Sequence, residues 1–152
     1  MGTLIKLYLP IKGSILPLSE VNDYLFSKKI MGEGLAIKPE DNFIYSPVDG
    51  EVVLIYDTKH ALALKTKEGL QLLIHIGIDT VKLEGRGFAS YVKVGDMVKT
   101  GDKLVFFDRE FIEKKVSSIT PIVITNPELI ENFDINYKAN NNGDLLAEIR
   151  LK

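Results

Sequence analysis

The sequence of 152 residues contains no cysteine, which excludes disulfide bonds, thiolate metal ligands and cysteine nucleophiles. It also lacks a strong excess of one charge, because the formal net charge is −2 at pH 7. Proteins that bind nucleic acids usually carry a basic stripe, so we expect no nucleic-acid partner. No apolar run approaches the ~20 residues of a membrane-spanning helix. We therefore expect a cytoplasmic protein with no inserted segment.

Long amphipathic helical patterns are scarce, whereas 12 glycines and 6 prolines divide the chain into short segments. The β-rich runs between these breaks are residues 51–56, 61–65, 70–78, 104–107, 122–125 and 145–151. Short strands at this spacing predict an all-β fold, an antiparallel β-sandwich or barrel with short helical turns.

Two segments are predicted to form the helical turns, at residues 107–116 and 127–133. Asn126 is the expected N-cap of the second, with Pro127 at its first helical position. Residues 140–143, three asparagines and a glycine, predict a turn between strands. We expect one domain over residues 1–152, with residues 1–14 less ordered.

The chain has two histidines, and the first to consider is His75. Alternate residues of a strand point to opposite faces, so an aliphatic row is predicted to face the core: Leu72, Ile74, Ile76 and Ile78. His75 then lies on the opposite face. Gly77 follows on that same face and is expected to leave room beside the ring for an incoming group.

The second histidine, His60, is predicted by the same parity to share a face with Leu62 and Leu64, as a buried hydrogen-bonded histidine would. Two neighbouring imidazoles can nevertheless form a phosphoryl site. One is the nucleophile, since histidine titrates near neutrality. The other can donate a hydrogen bond to the phosphoryl oxygens, and the Thr58 hydroxyl can do the same or fix the tautomer of His60.

Residues 69–81 read GLQLLIHIGIDTV, which resembles the phosphorylation-site signature of the glucose-family IIA component of the bacterial phosphoenolpyruvate-dependent sugar phosphotransferase system. Residues 58–61, TKHA, resemble the second-histidine motif of that family, fifteen residues before the first. Residues 35–39, 45–50, 85–88 and 120–123 resemble further landmarks. The resemblance extends from about residue 15 to residue 151.

The resemblance implies a β-sandwich in which His75 and His60 lie side by side in a shallow depression. It implies that His75 accepts phosphate from the histidine phosphocarrier protein and delivers it to a cysteine of the IIB domain of a sugar permease. His60 would support transfer, and Thr58 would help to place His60. The sugar would be glucose or a relative, and the protein would be a monomer that docks at the inner face of the membrane.

The resemblance also implies a partner-binding surface. Asp23 and Asp79 correspond to carboxylates that can meet arginines of the partners. The corresponding apolar residues around the site are Phe26, Met31, Tyr56, Leu73 and Val81. A transient interface needs such an exposed apolar patch ringed by charges.

Three other classes of protein are weighed against this interpretation. A zinc peptidase needs three protein ligands, and two histidines would require a carboxylate such as Asp79 as the third. No cofactor is required, although His60 and His75 could bind zinc together with a carboxylate from a partner.

The doubled turn pattern VGDMV at residues 94–98 and TGDKL at residues 100–104 also occurs in lipoyl and biotinyl carrier domains. In this chain the nearby lysines lack the flanking residues of a modified lysine. A regulator that signals through its phosphorylation state is the third alternative.

Overall fold

The structure is a computed structural model and describes residues 2–152. Its strands are β1 Leu4–Tyr8, β2 Gly13–Pro17, β3 Glu33–Pro39, β4 Phe43–Tyr45, β5 Gly50–Ile55, β6 Ala61–Lys65, β7 Gln71–His75, β8 Phe88–Ser90, β9 Met97–Val98, β10 Lys103–Phe107, β11 Thr120–Ile124, β12 Ile130–Ile135 and β13 Leu145–Leu151. Its short helices are α1 Tyr24–Ser27 and α2 Arg109–Glu113. Single 3-10 turns cover Leu18–Glu20, Thr80–Leu83 and Pro127–Leu129.

Antiparallel pairing joins these strands into three sheets, which confirms the predicted all-β antiparallel sandwich. The largest sheet has seven strands in the order β2-β3-β11-β7-β6-β5-β9. Two three-stranded sheets have the orders β1-β13-β12 and β4-β10-β8.

The large sheet is apolar on both faces because its central strands carry aliphatic residues at successive positions. One face contributes Leu62, Leu64, Leu72 and Ile74 to the main core, which the smaller sheets cover. The opposite face carries a second cluster of buried residues: Leu18, Val21, Phe26, Ala36, Ala61, Leu73, Ile78 and Val123. This second cluster packs beneath α1.

The prediction that residues 1–14 are less ordered is wrong for the residues that the structure describes. Leu4–Tyr8 forms β1, which pairs antiparallel with β13. The apolar residues Leu7, Leu9 and Ile11 are each 1% exposed and belong to the main core. Burial of these side chains on folding stabilises the segment, while Met1 lies outside the described residues.

The helical turn predicted for residues 127–133 is shorter than expected. It ends at Leu129, and residues from Ile130 onward form β12 because they pair with β13. Asn126 makes no capping hydrogen bond. Its side-chain oxygen instead accepts from the Gln71 amide at 2.9 Å, and its side-chain nitrogen donates to the Gly69 carbonyl at 2.9 Å, so it fastens the start of β7.

Candidate functional site

The two histidines lie at neighbouring ends of the central strands β6 and β7. Ala61, the first residue of β6, pairs with His75, the last residue of β7. The Ile76 amide donates to the His60 carbonyl at 2.7 Å, which extends this pairing by one hydrogen bond. As a result, the centres of the two imidazole rings are 4.9 Å apart and the ring planes are nearly perpendicular, at 79°.

His60 lies in the turn between β5 and β6 rather than in a strand, and its ring contacts His75 and Tyr56 on the side of the second cluster. The predicted face shared with Leu62 and Leu64, which belong to the main core, is therefore wrong. Lys59 just before His60 has a left-handed φ of 61°, which breaks the alternation assumed for residues 58–64. The ring is 2% exposed and meets Tyr56 edge-on at 5.2 Å between ring centres. Its Nδ1 lies 2.5 Å from the Thr58 hydroxyl oxygen.

His75 lies on the face of the second cluster, opposite the main core, as its parity predicts. Its ring is partly buried beneath α1, and the Phe26 ring lies 5.1 Å from it between centres. Its Nδ1 lies 2.8 Å from the Gly77 carbonyl oxygen. A carbonyl can only accept, so Nδ1 must donate and the lone pair of the neutral ring resides on Nε2.

Two expectations about the residues after His75 are wrong. Ile78 belongs to the second cluster rather than the main core, because β7 ends at His75 and Gly77 has a left-handed φ of 78°. Nor does Gly77 leave open space. A Cβ there would lie 2.4 Å from Thr80 Cγ2 and 2.7 Å from the Ser117 carbonyl oxygen. Glycine is needed for the backbone conformation and the close packing.

Burial lowers the pKa of both imidazoles. For His60, burial and then the neighbouring His75 ring lower the pKa to about 4. For His75, burial lowers the pKa, while the hydrogen bond to Gly77 and the carboxylate of Asp23 partly offset it. Burial disfavours the charged form, so both rings are neutral at pH 7.

The predicted partner-binding residues fall into two groups. Phe26 and Leu73 are each 3% exposed and belong to the second cluster, so they are buried packing residues instead of an exposed rim. Met31 and Tyr56 are partly buried against the same cluster. Val81, in contrast, is 54% exposed.

The two predicted carboxylates lie at the starts of α1 and of the 3-10 turn Thr80–Leu83. Asp23 is the N-cap of α1 and accepts from the Leu25 amide at 2.9 Å. Asp79 is exposed and forms an ion pair of 3.8 Å with Lys82.

The exposed apolar residues on and after α1 were not predicted from the sequence. Tyr24, Leu25 and Ile30 are 68%, 46% and 55% exposed. We call these three residues and Val81 the apolar rim. The signal that could have found them is the pattern of α1, where Phe26 alone is buried and its neighbours therefore face outward.

Metal ligands are few among residues 2–152, where no cluster of three or more histidine, cysteine or carboxylate side chains could hold a metal ion. The two imidazoles would supply at most two of the four ligands of a tetrahedral zinc site. No helix of this part of the chain is long and apolar enough to cross a membrane.

Comparisons with known proteins agree on one family. The relatives include the glucose-specific EIIA component of the phosphotransferase system from Oceanobacillus iheyensis, 55% identical over 78% of this chain and 73% of the relative. The corresponding component from Bacillus cereus is 49% identical over 81% of this chain and 75% of the relative. The solved structure of glucose permease IIA from Mycoplasma capricolum matches with a TM-score of 0.89 and 38% identity over 96% of each chain.

The family model described as phosphoenolpyruvate-dependent sugar phosphotransferase system, EIIA 1, matches residues 5–130, which include α1 and both histidines. The chain belongs to this family of phosphotransferase components.

Proposed function

We propose that the protein carries a phosphoryl group on His75 during sugar uptake. It accepts the group from the phosphorylated histidine phosphocarrier protein and passes it to a cysteine of the IIB domain of a sugar permease. The observation that supports this most is the imidazole pair, in which Nδ1 of His75 is bound to Gly77 and Nε2 keeps the lone pair. A neutral imidazole with a free lone pair is the form that acts as a nucleophile.

In the first transfer, the His75 Nε2 lone pair forms a bond to phosphorus, and the bond from phosphorus to the phosphocarrier imidazole breaks. The departing imidazole keeps that electron pair. In the second transfer, a cysteine thiolate of the IIB domain attacks phosphorus, and the bond from phosphorus to Nε2 breaks. Such transfers depend on positioning and charge stabilisation more than on further covalent chemistry.

His60 stabilises the transferring group through a hydrogen bond. The Thr58 hydroxyl donates to Nδ1 of His60 in this arrangement, which leaves the ring proton on Nε2. An Nε2–H next to His75 can donate to a phosphoryl oxygen as charge develops there. The low pKa of His60, about 4, keeps this ring neutral, so it acts as a hydrogen-bond donor and not as a cation.

Docking would use the apolar rim together with Asp23 and Asp79. Exposed apolar side chains beside carboxylates fit a transient interface with partners that present apolar and basic groups. The protein would work in the cytoplasm and dock at the inner face of the membrane when it meets the permease. Since the curated relatives are glucose-specific components, we propose glucose or a related sugar as the transported substrate.

The proposed reaction needs no metal ion. A zinc ion bound across His60 and His75, with further ligands from a partner, would occupy the same ring nitrogens that the phosphoryl group uses. Zinc is therefore expected to inhibit phosphoryl loading, and a chelator is expected to relieve that inhibition.

Loading assays with labelled phosphoenolpyruvate, enzyme I and the phosphocarrier test the proposal. His75→Ala should abolish labelling, because the nucleophile is gone. His60→Ala should still accept the label, whereas onward transfer to the IIB domain should fail. Labelling that survives in His75→Ala would overturn the assignment of the acceptor, and loss of loading in His60→Ala would move His60 into the first transfer.

A further inference from the structure

The turn that follows β7 controls which nitrogen of His75 is free. The Gly77 carbonyl holds the proton on Nδ1, 2.8 Å away, and thereby leaves the lone pair on Nε2. If this carbonyl turned away, the ring could exchange its tautomer or rotate. The contacts that hold the Gly77 peptide in place therefore determine which nitrogen of His75 is the nucleophile.

The backbone of this turn is held in a conformation that needs support. Gly77 has a φ of 78°, and Asp79, which is not a glycine, has a φ of 62°. A left-handed non-glycine residue costs about 1–2 kcal/mol, so surrounding contacts must hold it in place. On one side, the Ile78 amide donates to the Ser117 carbonyl at 3.0 Å.

Thr80 supplies the support on the other side. Its side chain is fully buried, at 0% exposure, and its hydroxyl donates to the Ile76 carbonyl at 2.6 Å. This hydrogen bond closes the turn from its last residue back to the residue beside His75. The Thr80 methyl group packs directly against Gly77, since a Cβ on Gly77 would be 2.4 Å from Cγ2.

We propose that Thr80 is a positioning residue for phosphoryl transfer. Its hydroxyl ties the turn to Ile76, which keeps the Gly77 carbonyl directed at His75 Nδ1 and the Nε2 lone pair available. The inference rests on the proposed role of His75 as the phosphoryl acceptor. It assigns to Thr80 an effect on the tautomer of His75, which is more specific than an effect on stability.

The test compares Thr80→Val, which removes the hydroxyl and keeps the branched shape, with Thr80→Ser, which keeps the hydroxyl. Thr66→Val is the matched control. Thr66 is also buried, at 4% exposure, and its hydroxyl oxygen accepts from the Leu70 amide at 3.1 Å. It lies just beyond the end of β6 that is remote from the histidines.

Two quantities are measured in each variant: the ring tautomer of His75, by nitrogen-15 NMR at neutral pH, and the initial rate of phosphoryl loading. Thr80→Val should lower the population protonated on Nδ1 and slow loading by about 3–10-fold, the equivalent of one hydrogen bond. Thr80→Ser should stay within about twofold of the wild-type rate, by the same reasoning. Thr66→Val should lose stability while its folded fraction keeps the wild-type tautomer and rate.

A wild-type tautomer and loading rate in Thr80→Val would overturn the inference. A decrease in loading rate that is equal in Thr80→Val and Thr66→Val would overturn it as well. If the valine variant does not fold, Thr80→Ala removes the same hydroxyl without adding atoms and carries the same expectations. Failure of the proposed function is distinguishable, since it would show as labelling that persists in His75→Ala, whereas the NMR measurement on Thr80→Val does not depend on that result.

Discussion

At the scale of single residues, the Nδ1 atom of each histidine forms a hydrogen bond with an oxygen atom two residues away in sequence. His60 Nδ1 meets the Thr58 hydroxyl, and His75 Nδ1 meets the Gly77 carbonyl. A hydroxyl can donate or accept, whereas a carbonyl can only accept. The two rings therefore take different roles under the proposed function, with a proton on Nε2 of His60 and a lone pair on Nε2 of His75.

The pKa of His60 gives a prediction at this scale. With the pKa lowered from 6.5 to about 4, the folded protein should keep His60 neutral at pH 5, where histidines of the unfolded chain bind protons. The free energy of unfolding should therefore fall as the pH falls below about 6.5, since the unfolded state then binds more protons.

The measurement is a ring titration by NMR together with urea unfolding at pH 7 and pH 5. His60→Gln is the control, because it removes this titration and should show a smaller loss between the two pH values. A His60 ring that titrates near 6.5 in the folded protein would contradict the account.

The positions of the candidate site residues were predictable from the sequence, whereas their surroundings were not. The spacing and local motifs of His75, His60 and Thr58 predicted a pair, and the structure brings the three together. The role of Gly77 could not be predicted, because parity assumes that a strand continues. The left-handed φ at Gly77 and its contact with Thr80 depend on tertiary packing against Ser117.

At the scale of elements, the site is formed where strands end. β5 and β6 are joined by the turn that carries Thr58 and His60, and β7 ends at His75. The paired central strands fix the positions of the ring-bearing residues, and the turns set the ring orientations. Sites built on rigid strands hold reactive groups more accurately than sites on long loops.

Gly77→Ala tests the turn after β7. The added methyl would meet Thr80 and the Ser117 carbonyl, and alanine is strained at a φ of 78°. We expect a loss of about 1–3 kcal/mol in stability, together with slower loading as the carbonyl is displaced from His75. Urea unfolding and the loading assay measure the two effects.

Gly69→Ala is the matched control for this prediction. Gly69 has a φ of 95°, but nothing lies within 4 Å of an added Cβ. Gly69→Ala should lose about 1–2 kcal/mol of stability through the same backbone strain. The loading rate of its folded fraction should stay at the wild-type value. Equal loading rates in the two variants would show that the Gly77 contact does not matter for transfer.

The strands and helices were predictable where the local sequence pattern agreed with the strand pairing in the sheets. The predicted strands at residues 61–65 and 145–151 match β6 and β13, and α2 lies within the predicted helical turn at residues 107–116. The prediction of a helical turn over residues 127–133 was wrong after the first turn, because the pairing of β12 with β13 outweighed the local capping signal. β1 was missed because its order depends on β13, which is more than 130 residues away in sequence.

At the scale of the whole molecule, the large sheet separates two apolar regions with different roles. The main core lies between the sheets, while the second cluster lies under α1 and the histidines. Phe26 and Leu73 belong to the second cluster, so truncating either one would remove support from the site. The family resemblance implied that both residues contact partners, but it carries no information on burial, and the two side chains are each 3% exposed.

Docking on the apolar rim is tested by Val81→Lys. Val81 is 54% exposed, so the substitution should leave the free energy of unfolding within about 0.5 kcal/mol of the wild-type value. It should nevertheless raise the KM for the phosphocarrier, because a lysine in a desolvated contact with a basic partner is repelled. Loading kinetics against phosphocarrier concentration measure this effect.

Val94→Lys is the matched control, since Val94 is 59% exposed and lies in the turn between β8 and β9. Its KM for the phosphocarrier should remain at the wild-type value. An equal rise in KM for both variants would indicate a general charge effect and would contradict docking on the apolar rim.

The central claim, that Nε2 of His75 carries the phosphoryl group, is tested most directly by NMR of the loaded protein. Nitrogen-15 labelling of the histidines, with detection of coupling to phosphorus-31, identifies the phosphorylated ring and the nitrogen that bears the group. The account predicts one phosphoryl group on His75 Nε2, with Nδ1 still protonated against Gly77. A phosphoryl group on His75 Nδ1, or on His60, would contradict it.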